Sequence, residues 1–205
     1  MKLVILQQQF LPRLFLKAYH GRTSCYMQNH IDLRLIAVSL LQLIISEYYN
    51  NYTAPSFPPA WKTLEVVSFG TLSKLFCNFK DNSVKKKVAK EFLLPQYLYL
   101  ENWIKCIAVL RNACAHHARI WNRRFPTMPI MPKYLPSQWV VTGNFRPNKL
   151  YHQLCCLAYL EQSIAANGSF SKRLLKLIDK SESVNIRSMG FPQEWKNEPL
   201  WIIKA

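Results

Sequence analysis

The residue types best suited to chemistry lie together between Leu110 and Phe125, in the stretch LRNACAHHARIWNRRF. Arginine, histidine and asparagine are dense in this stretch, whereas aspartate and glutamate are absent from it. A guanidinium group binds phosphate oxygens through paired hydrogen bonds, and an imidazole transfers protons near neutral pH. The combination therefore predicts contact with a phosphate-bearing ligand.

The spacing of these side chains predicts a polar stripe on one helix. Asn112, His116, Arg119 and Arg123 stand at positions i, i+4, i+7 and i+11, which share one helical face. Arg111 and His116 lie about 140° apart around the helix, so they flank each other rather than stack. A long arginine side chain, or a second copy of the helix across a two-fold axis, could bring the two groups together.

The stripe suits phosphodiester chemistry without a metal or other cofactor. It holds no carboxylate to bind a divalent ion. An imidazole can move protons while an arginine stabilises the charge that develops on the phosphorus oxygens. A zinc site formed by Cys114, His116 and His117 is an alternative, but its spacing is not that of a structural site. We assign the chemistry to His116 and expect His117 to be a partly buried donor on the packing side.

The composition of the chain also favours an anionic partner. Its 205 residues include 27 Lys and Arg against 11 Asp and Glu, which gives a formal net charge of +16. An excess of this size is usually tolerated because a polyanion, most often nucleic acid, neutralises part of it. Because 50% of the residues are hydrophobic, a packed core is expected, and collagen-like, disordered and disulfide-stapled classes are excluded.

The sequence predicts a cytoplasmic protein that has no membrane partner. The longest apolar stretch, Leu35 to Ile45, falls short of the roughly 17 to 25 residues that cross a bilayer. The amino terminus lacks the small-residue cleavage site of a signal peptide. The six cysteines are scattered without a Cys-x-x-Cys pair, so we expect buried thiols in a reducing compartment.

An all-α fold is expected to position the candidate residues. The chain has only 5 Gly, and its 12 Pro cluster in connectors between segments with helical periodicity. On the helix that carries the stripe, Trp103, Ile107, Leu110, Cys114 and Trp121 recur at the spacing of one packed face. The predicted helices are Leu33 to Tyr49, Trp61 to Cys77, Val84 to Phe92, Leu98 to Arg124, Leu150 to Asn167 and Ser171 to Asp179.

At Arg111 to Arg123 the sequence resembles the Abi-like family of bacterial abortive-infection proteins, the AbiD and AbiF group within the HEPN superfamily. The stretch contains the superfamily pattern of Arg, a polar residue, three others and His. Two further motifs of the family stand in the same order along the chain. They are Pro58-Pro59-Ala60-Trp61 with Glu65 and Ser68 to Ser73 upstream, and Met189 to Pro192 with Trp195 and Pro199 to Trp201 downstream.

This resemblance implies an all-helical HEPN bundle that often forms homodimers and cleaves RNA without metal. The ribose 2′-hydroxyl would attack the neighbouring phosphate and leave a cyclic phosphate and a 5′-hydroxyl. His116 would move protons, Arg111 would stabilise the phosphorane, and Asn112 would orient His116. The residues that would hold flanking phosphates are Arg119, Asn122 and Arg123. Glu65 could pair with an arginine of the motif, or could be a plain solvated carboxylate.

The resemblance also predicts the domain organisation and the function of the chain. Residues 1–34 do not resemble the family, and residues 35–205 are expected to form the carboxyl-terminal portion of an Abi-like HEPN domain. We therefore expect an amino-terminally truncated copy of a phage-defence endoribonuclease, with a possible antitoxin protein or RNA as a second partner. A non-catalytic RNA-binding module and an inactive truncated remnant are the alternatives, so enzyme activity depends on whether the fold is complete.

Overall fold

A computed structural model describes residues 43, 45–54, 56, 68–141, 147–164, 170–181 and 184–202. The described residues contain helices and no strand, which confirms the predicted all-α class. Three short 3-10 helices follow the α-helices, at Ile186–Met189, Trp195–Asn197 and Pro199–Trp201. The α-helices are α1 (residues 45–51), α2 (Phe69–Cys77), α3 (Asn82–Glu91), α4 (Tyr97–Ala115), α5 (Leu150–Ile164) and α6 (Phe170–Asp179).

The chain divides into two compact units, Met1–Leu75 and Phe76–Ala205. In the first unit, α1 buries Tyr48, whose ring stacks on Tyr52 with 5.3 Å between centroids. The second unit contains α3 to α6, the 3-10 helices and the loop between α4 and α5. The candidate residues from Arg111 to Arg123 all belong to this second unit.

The core of the second unit lies between α4 and α5. Trp103, Ile107 and Leu110 of α4 are buried, as their spacing predicted. The Trp103 ring stacks on Trp139 with centroids 5.3 Å apart, and Tyr159 of α5 meets both rings edge-on. Such offset and edge-to-face aromatic pairs stabilise a core beyond the area that they bury. This packing fixes the helix on which the candidate site begins.

A buried ion pair joins α3 to α4. Lys85 donates to Oε1 of Glu101 at 2.7 Å and to the carbonyl of Cys77 at 2.8 Å. Asp81 caps the start of α3, where its Oδ1 accepts from the backbone amide of Ser83 at 2.7 Å. The Ser83 hydroxyl and amide lower the pKa of Asp81, so the cap is ionised at neutral pH.

The helix that carries the motif ends at Ala115, so the predicted helix from Leu98 to Arg124 is wrong over its last nine residues, 116–124. The His117 amide donates to the carbonyl of Cys114 at 3.1 Å, and the Ala118 amide donates to that of Ala113 at 2.9 Å. His117 has a φ of 52°, in the left-handed region. These bonds form a Schellman motif, which satisfies the last carbonyls of α4 and reverses the chain. The spacing of apolar residues in the sequence does not reveal this reversal of the backbone.

Side chains from α4 and α5 hold the proline-rich loop that follows. Asn102 donates to the carbonyl of Met128 at 3.1 Å and accepts from the amide of Ile130 at 2.7 Å. Gln153 of α5 donates to the carbonyl of Thr127 at 2.9 Å. Because prolines leave a loop with few backbone donors, such side-chain bonds satisfy groups that a helix would satisfy internally. The loop is therefore anchored to the core at several points.

The other predicted helices match the structure closely where it describes them. Val84 to Phe92 corresponds to α3, Leu150 is the first residue of α5, and Ser171 to Asp179 corresponds to α6. The predicted ends before residue 43, across residues 61–67 and at Asn167 lie outside the described residues. Cys106, Cys155 and Cys156 are buried thiols as expected, and burial raises the pKa of each. Cys77 and Cys114 are only half-buried, so the expectation is wrong for these two. Cys25 also lies outside the described residues.

Candidate functional site

Arg111 and Asn112 lie on the last turn of α4 and are bonded to each other. Arg111 is half-buried, and its Nη1 donates to Oδ1 of the exposed Asn112 at 3.0 Å. The guanidinium is thus held by a neutral amide, which leaves its positive charge uncompensated. Asn112 directs its amide oxygen to Arg111, whereas the family resemblance implied that it would orient His116.

His116 is the carboxyl-terminal cap of α4 and exposes its imidazole. Within the part of the chain that the structure describes, that imidazole has no hydrogen-bond partner, so it is open to a ligand. His117 is exposed as well, and the expectation that it would be a partly buried donor is wrong. Its left-handed backbone places it beyond the helix, away from the face that packs Trp103.

The polar residues beyond the cap lie in a loop, and the predicted helical stripe is therefore wrong. Arg119 is exposed, while Arg123 places its guanidinium 5.8 Å from the centroid of the Phe125 ring. Asn112 and His116 belong to the end of α4, but Arg119 and Arg123 follow the reversal at His117. The structure therefore gives these residues no common helical face.

Trp121 and Asn122 form the tip of a tight turn. The Arg123 amide donates to the carbonyl of Ile120 at 3.1 Å, and Asn122 has a φ of 54°. Asparagine adopts this left-handed conformation more readily than most residues. Lys149 donates to Oδ1 of Asn122 at 2.6 Å and to its carbonyl at 3.2 Å. The turn is thus closed by its own backbone and secured by a lysine from outside it.

Lys149 is a structural residue of the site that the sequence did not indicate. It is only 7% exposed, and it immediately precedes α5. Gly190, from the downstream family motif, packs so closely that a Cβ there would lie 2.6 Å from Cβ of Lys149. The φ of 89° at Gly190 also favours glycine. The motif at residues 189–192 therefore supports the turn at residues 120–123 through Lys149.

A basic cleft of about 510 Å³ adjoins this turn. No Asp or Glu occurs between Glu101 and Glu161, so the loop and both flanking helix segments carry only positive or neutral side chains. Among the described residues the ion pairs are Lys85–Glu101 and Lys196–Asp179, and neither involves an arginine of the motif. The cleft is lined by Asn122, Arg124, Met128, Pro147, Asn148 and Lys149.

The described residues contain neither a candidate metal cluster nor a candidate membrane-spanning helix. No group of three or more His, Cys, Asp or Glu side chains there could hold a metal ion. Neither does any helix in the described part of the chain combine the length and the apolar character needed to cross a membrane. Glu65, a predicted supporting residue, lies outside the described residues, as does Pro58-Pro59-Ala60-Trp61 of the same motif.

A family model described as Abi-like protein matches residues 12–122, which is more than half of the chain. The chain belongs to the Abi-like protein family. The match includes α2, α3 and α4 and ends at Asn122, in the turn beyond His116. Residues 12–34 fall within it, although residues 1–34 were predicted not to resemble the family. The downstream motif of this Abi-like protein, at residues 189–201, lies beyond the match.

Comparison with curated proteins gave no match to this Abi-like protein, and comparison with solved structures gave none either. Membership of the family supports a role in abortive infection.

Proposed function

We propose that this Abi-like protein is a metal-independent endoribonuclease. The observation that carries the proposal is the exposed His116 imidazole at the end of α4, five residues beyond Arg111 and within a segment free of carboxylates. An imidazole without an internal partner is available to a substrate proton, and unpaired guanidinium groups attract a phosphate backbone. The phage-defence role of the family would then follow from RNA cleavage in the infected cell.

The proposed reaction is an internal transfer at phosphorus. The ribose 2′-oxygen attacks the adjacent phosphate, the bond from phosphorus to the 5′-oxygen breaks, and a 2′,3′-cyclic phosphate and a 5′-hydroxyl form. His116 accepts the 2′-hydroxyl proton, and the imidazolium that results returns a proton to the leaving 5′-oxygen. Arg111 stabilises the negative charge of the phosphorane.

The neighbouring residues would bind the RNA on either side of the reacting phosphate. Arg119 is exposed and has no carboxylate near it in the sequence, so it can reach a phosphate directly. Asn122 is held in place by Lys149, and Arg123 is held over Phe125. A homodimer would supply a second Arg111 and His116 to the same RNA, and an antitoxin protein or RNA would act by covering this surface.

Replacement of His116 tests the proposal. Purified wild-type protein should cut single-stranded RNA in the presence of EDTA and leave 2′,3′-cyclic phosphate ends. His116→Ala should lower the cleavage rate at least about a hundredfold, because general acid-base catalysis typically contributes that much. His117→Ala is the matched control, since it removes the adjacent exposed imidazole and should retain most of the activity. Equal cleavage by His116→Ala and wild type would refute the proposal.

A non-catalytic RNA-binding module is the second candidate, and one observation favours it. Asn112 is bonded to Arg111, so no described residue fixes the orientation of His116. In this case His116→Ala would bind RNA as well as wild type, affinity would fall steeply with salt, and no cyclic phosphate ends would appear. A chain that neither binds nor cuts RNA would correspond to the third alternative, an inactive remnant.

A further inference from the structure

We propose that Trp121 stacks on an unpaired base and thereby makes the site selective for single-stranded RNA. The inference rests on the proposed contact with RNA, but it concerns a different residue and a different property. The helical spacing predicted that Trp121 would lie on the same packed face as Trp103. The structure separates Trp121 from the other tryptophans that it describes, and that prediction is wrong for Trp121.

Exposure distinguishes Trp121 from the other tryptophans that the structure describes. Its side chain is 42% exposed, whereas the residues at 103, 139, 195 and 201 are between 0% and 5% exposed. A large aromatic side chain at the tip of a surface turn gains less from folding than a fully buried one, because much of its apolar area remains in water. An exposed indole of this kind is suited to contact with a ligand that has a flat apolar face.

The backbone beneath Trp121 is fixed. The turn from Ile120 to Arg123 is closed by a hydrogen bond of 3.1 Å, and Lys149 donates hydrogen bonds to two atoms of Asn122. Phe125, just beyond the turn, donates its amide to the carbonyl of Asn148 at 2.7 Å. A held backbone reduces the conformational entropy that is lost when the indole orders against a ligand. Trp121 therefore provides a prepared stacking surface.

The charge around Trp121 identifies the ligand as a nucleic-acid strand. Arg119, Arg123 and Arg124 flank it in the sequence, and no carboxylate stands between Glu101 and Glu161. Cations that track a phosphate backbone, combined with an aromatic ring that stacks on a base, are the usual means of gripping a single strand. A base inside a duplex has both faces covered by its neighbours, so the indole can engage only an unpaired base.

Binding to an uncleavable RNA tests the inference on the full chain. The probe is a 2′-O-methyl RNA decamer of mixed sequence, used alone and as a blunt duplex with its complement. Trp121→Ala should weaken binding of the single strand about tenfold, since base stacking is worth about 1–3 kcal/mol. Duplex affinity should change little, because it depends on the cations. Trp121→Phe should restore most of the single-strand affinity because the phenyl ring also stacks.

Two controls separate stacking from a structural effect. Tyr134 is 87% exposed in the same loop, and Tyr134→Ala should leave both affinities unchanged. The single strand should quench the tryptophan fluorescence of the wild type, and Trp121→Phe should remove that quenching while it still binds. A melting curve for each variant, compared with that of the wild type, checks that the fold is retained.

The outcomes distinguish this inference from the proposed function. Unchanged single-strand affinity in Trp121→Ala would overturn the stacking role while leaving RNA binding in place. An equal loss for single strand and duplex would overturn it as well, because a stacking residue should discriminate between them. Failure of the wild type to bind either RNA would instead refute the proposed contact with RNA itself.

Discussion

The turn at residues 120–123 and the aromatic cluster near the carboxyl terminus are both rich in large side chains but use them differently. In the cluster, the rings of Phe191 and Trp195 lie 4.9 Å apart, and Trp201 lies 5.6 Å from Trp195. Trp201 donates its indole N–H to the Tyr151 hydroxyl at 3.2 Å, and burial raises the pKa of Tyr151. In the turn, Trp121 and the flanking arginines remain open to solvent or lie at the surface.

The contrast shows how a basic, exposed site can keep a defined shape. The cluster buries its aromatic groups against one another, and Gly190 beside it packs on Lys149. Lys149 in turn fixes Asn122 in the exposed turn. A packed base thus holds a surface segment whose own charges repel one another. The aromatic cluster therefore supplies packing, the turn presents the exposed residues, and Lys149 connects the two regions.

The largest expected effect compares a tryptophan from each region. Trp195→Ala should lower the free energy of unfolding by about 4 kcal/mol, because it leaves a cavity at a site that is 2% exposed. Trp121→Ala should lower it by only about 1–2 kcal/mol, because a side chain that is 42% exposed buries only part of its apolar area. Urea unfolding followed by circular dichroism measures both. Similar losses for the two variants would mean that the turn is part of the core.

The intermediate effect tests the close approach of Gly190 to Lys149. Gly190→Ala should destabilise the protein by about 3 kcal/mol, because a left-handed backbone and a 2.6 Å contact both oppose a Cβ. Gly70→Ala is the control. Gly70 lies in α2, where a Cβ would come no nearer than 3.8 Å to its surroundings, so alanine should stabilise by about 0.5–1 kcal/mol. Stability changes of the same sign would contradict the packing at Gly190.

The smallest effect concerns the end of α4, which precedes the turn at residues 120–123. His117→Gly should stabilise the protein by about 1 kcal/mol, because glycine adopts the left-handed conformation without strain. Ala115→Gly, two residues earlier in the last helical turn, should destabilise it by about 0.5–1 kcal/mol. If the helix continued to Arg124, both substitutions would destabilise. Thermal melting of the two variants distinguishes these cases.

The periodicity of the chain was sufficient to predict most of the fold that the structure describes. Apolar spacing identified α4 and its buried Trp103, Ile107 and Leu110, because a helix buries one stripe of side chains whatever surrounds it. Charge and residue type likewise singled out Arg111 and His116 as candidates for phosphate contact, which stays a prediction. These features depend on local spacing and composition.

The end of α4 and the support of the turn could not be predicted in this way. His116 and His117 continue the helical pattern in sequence, yet the chain reverses between them through hydrogen bonds to Ala113 and Cys114. The role of Lys149 depends on contacts with Asn122 and Gly190, which are distant from it in sequence. A buried lysine and a surface lysine look alike in a sequence, because burial is decided by what packs around them.

The sequence by itself determined a basic, all-helical chain with an arginine and a histidine on one helix, since composition and helical periodicity are local properties of the chain. Only the tertiary structure decided that the following polar residues form a braced loop, that His116 and His117 are both exposed, and that Trp121 faces solvent. The physical reason is that backbone reversal and side-chain burial depend on hydrogen bonds and packing between segments far apart along the chain.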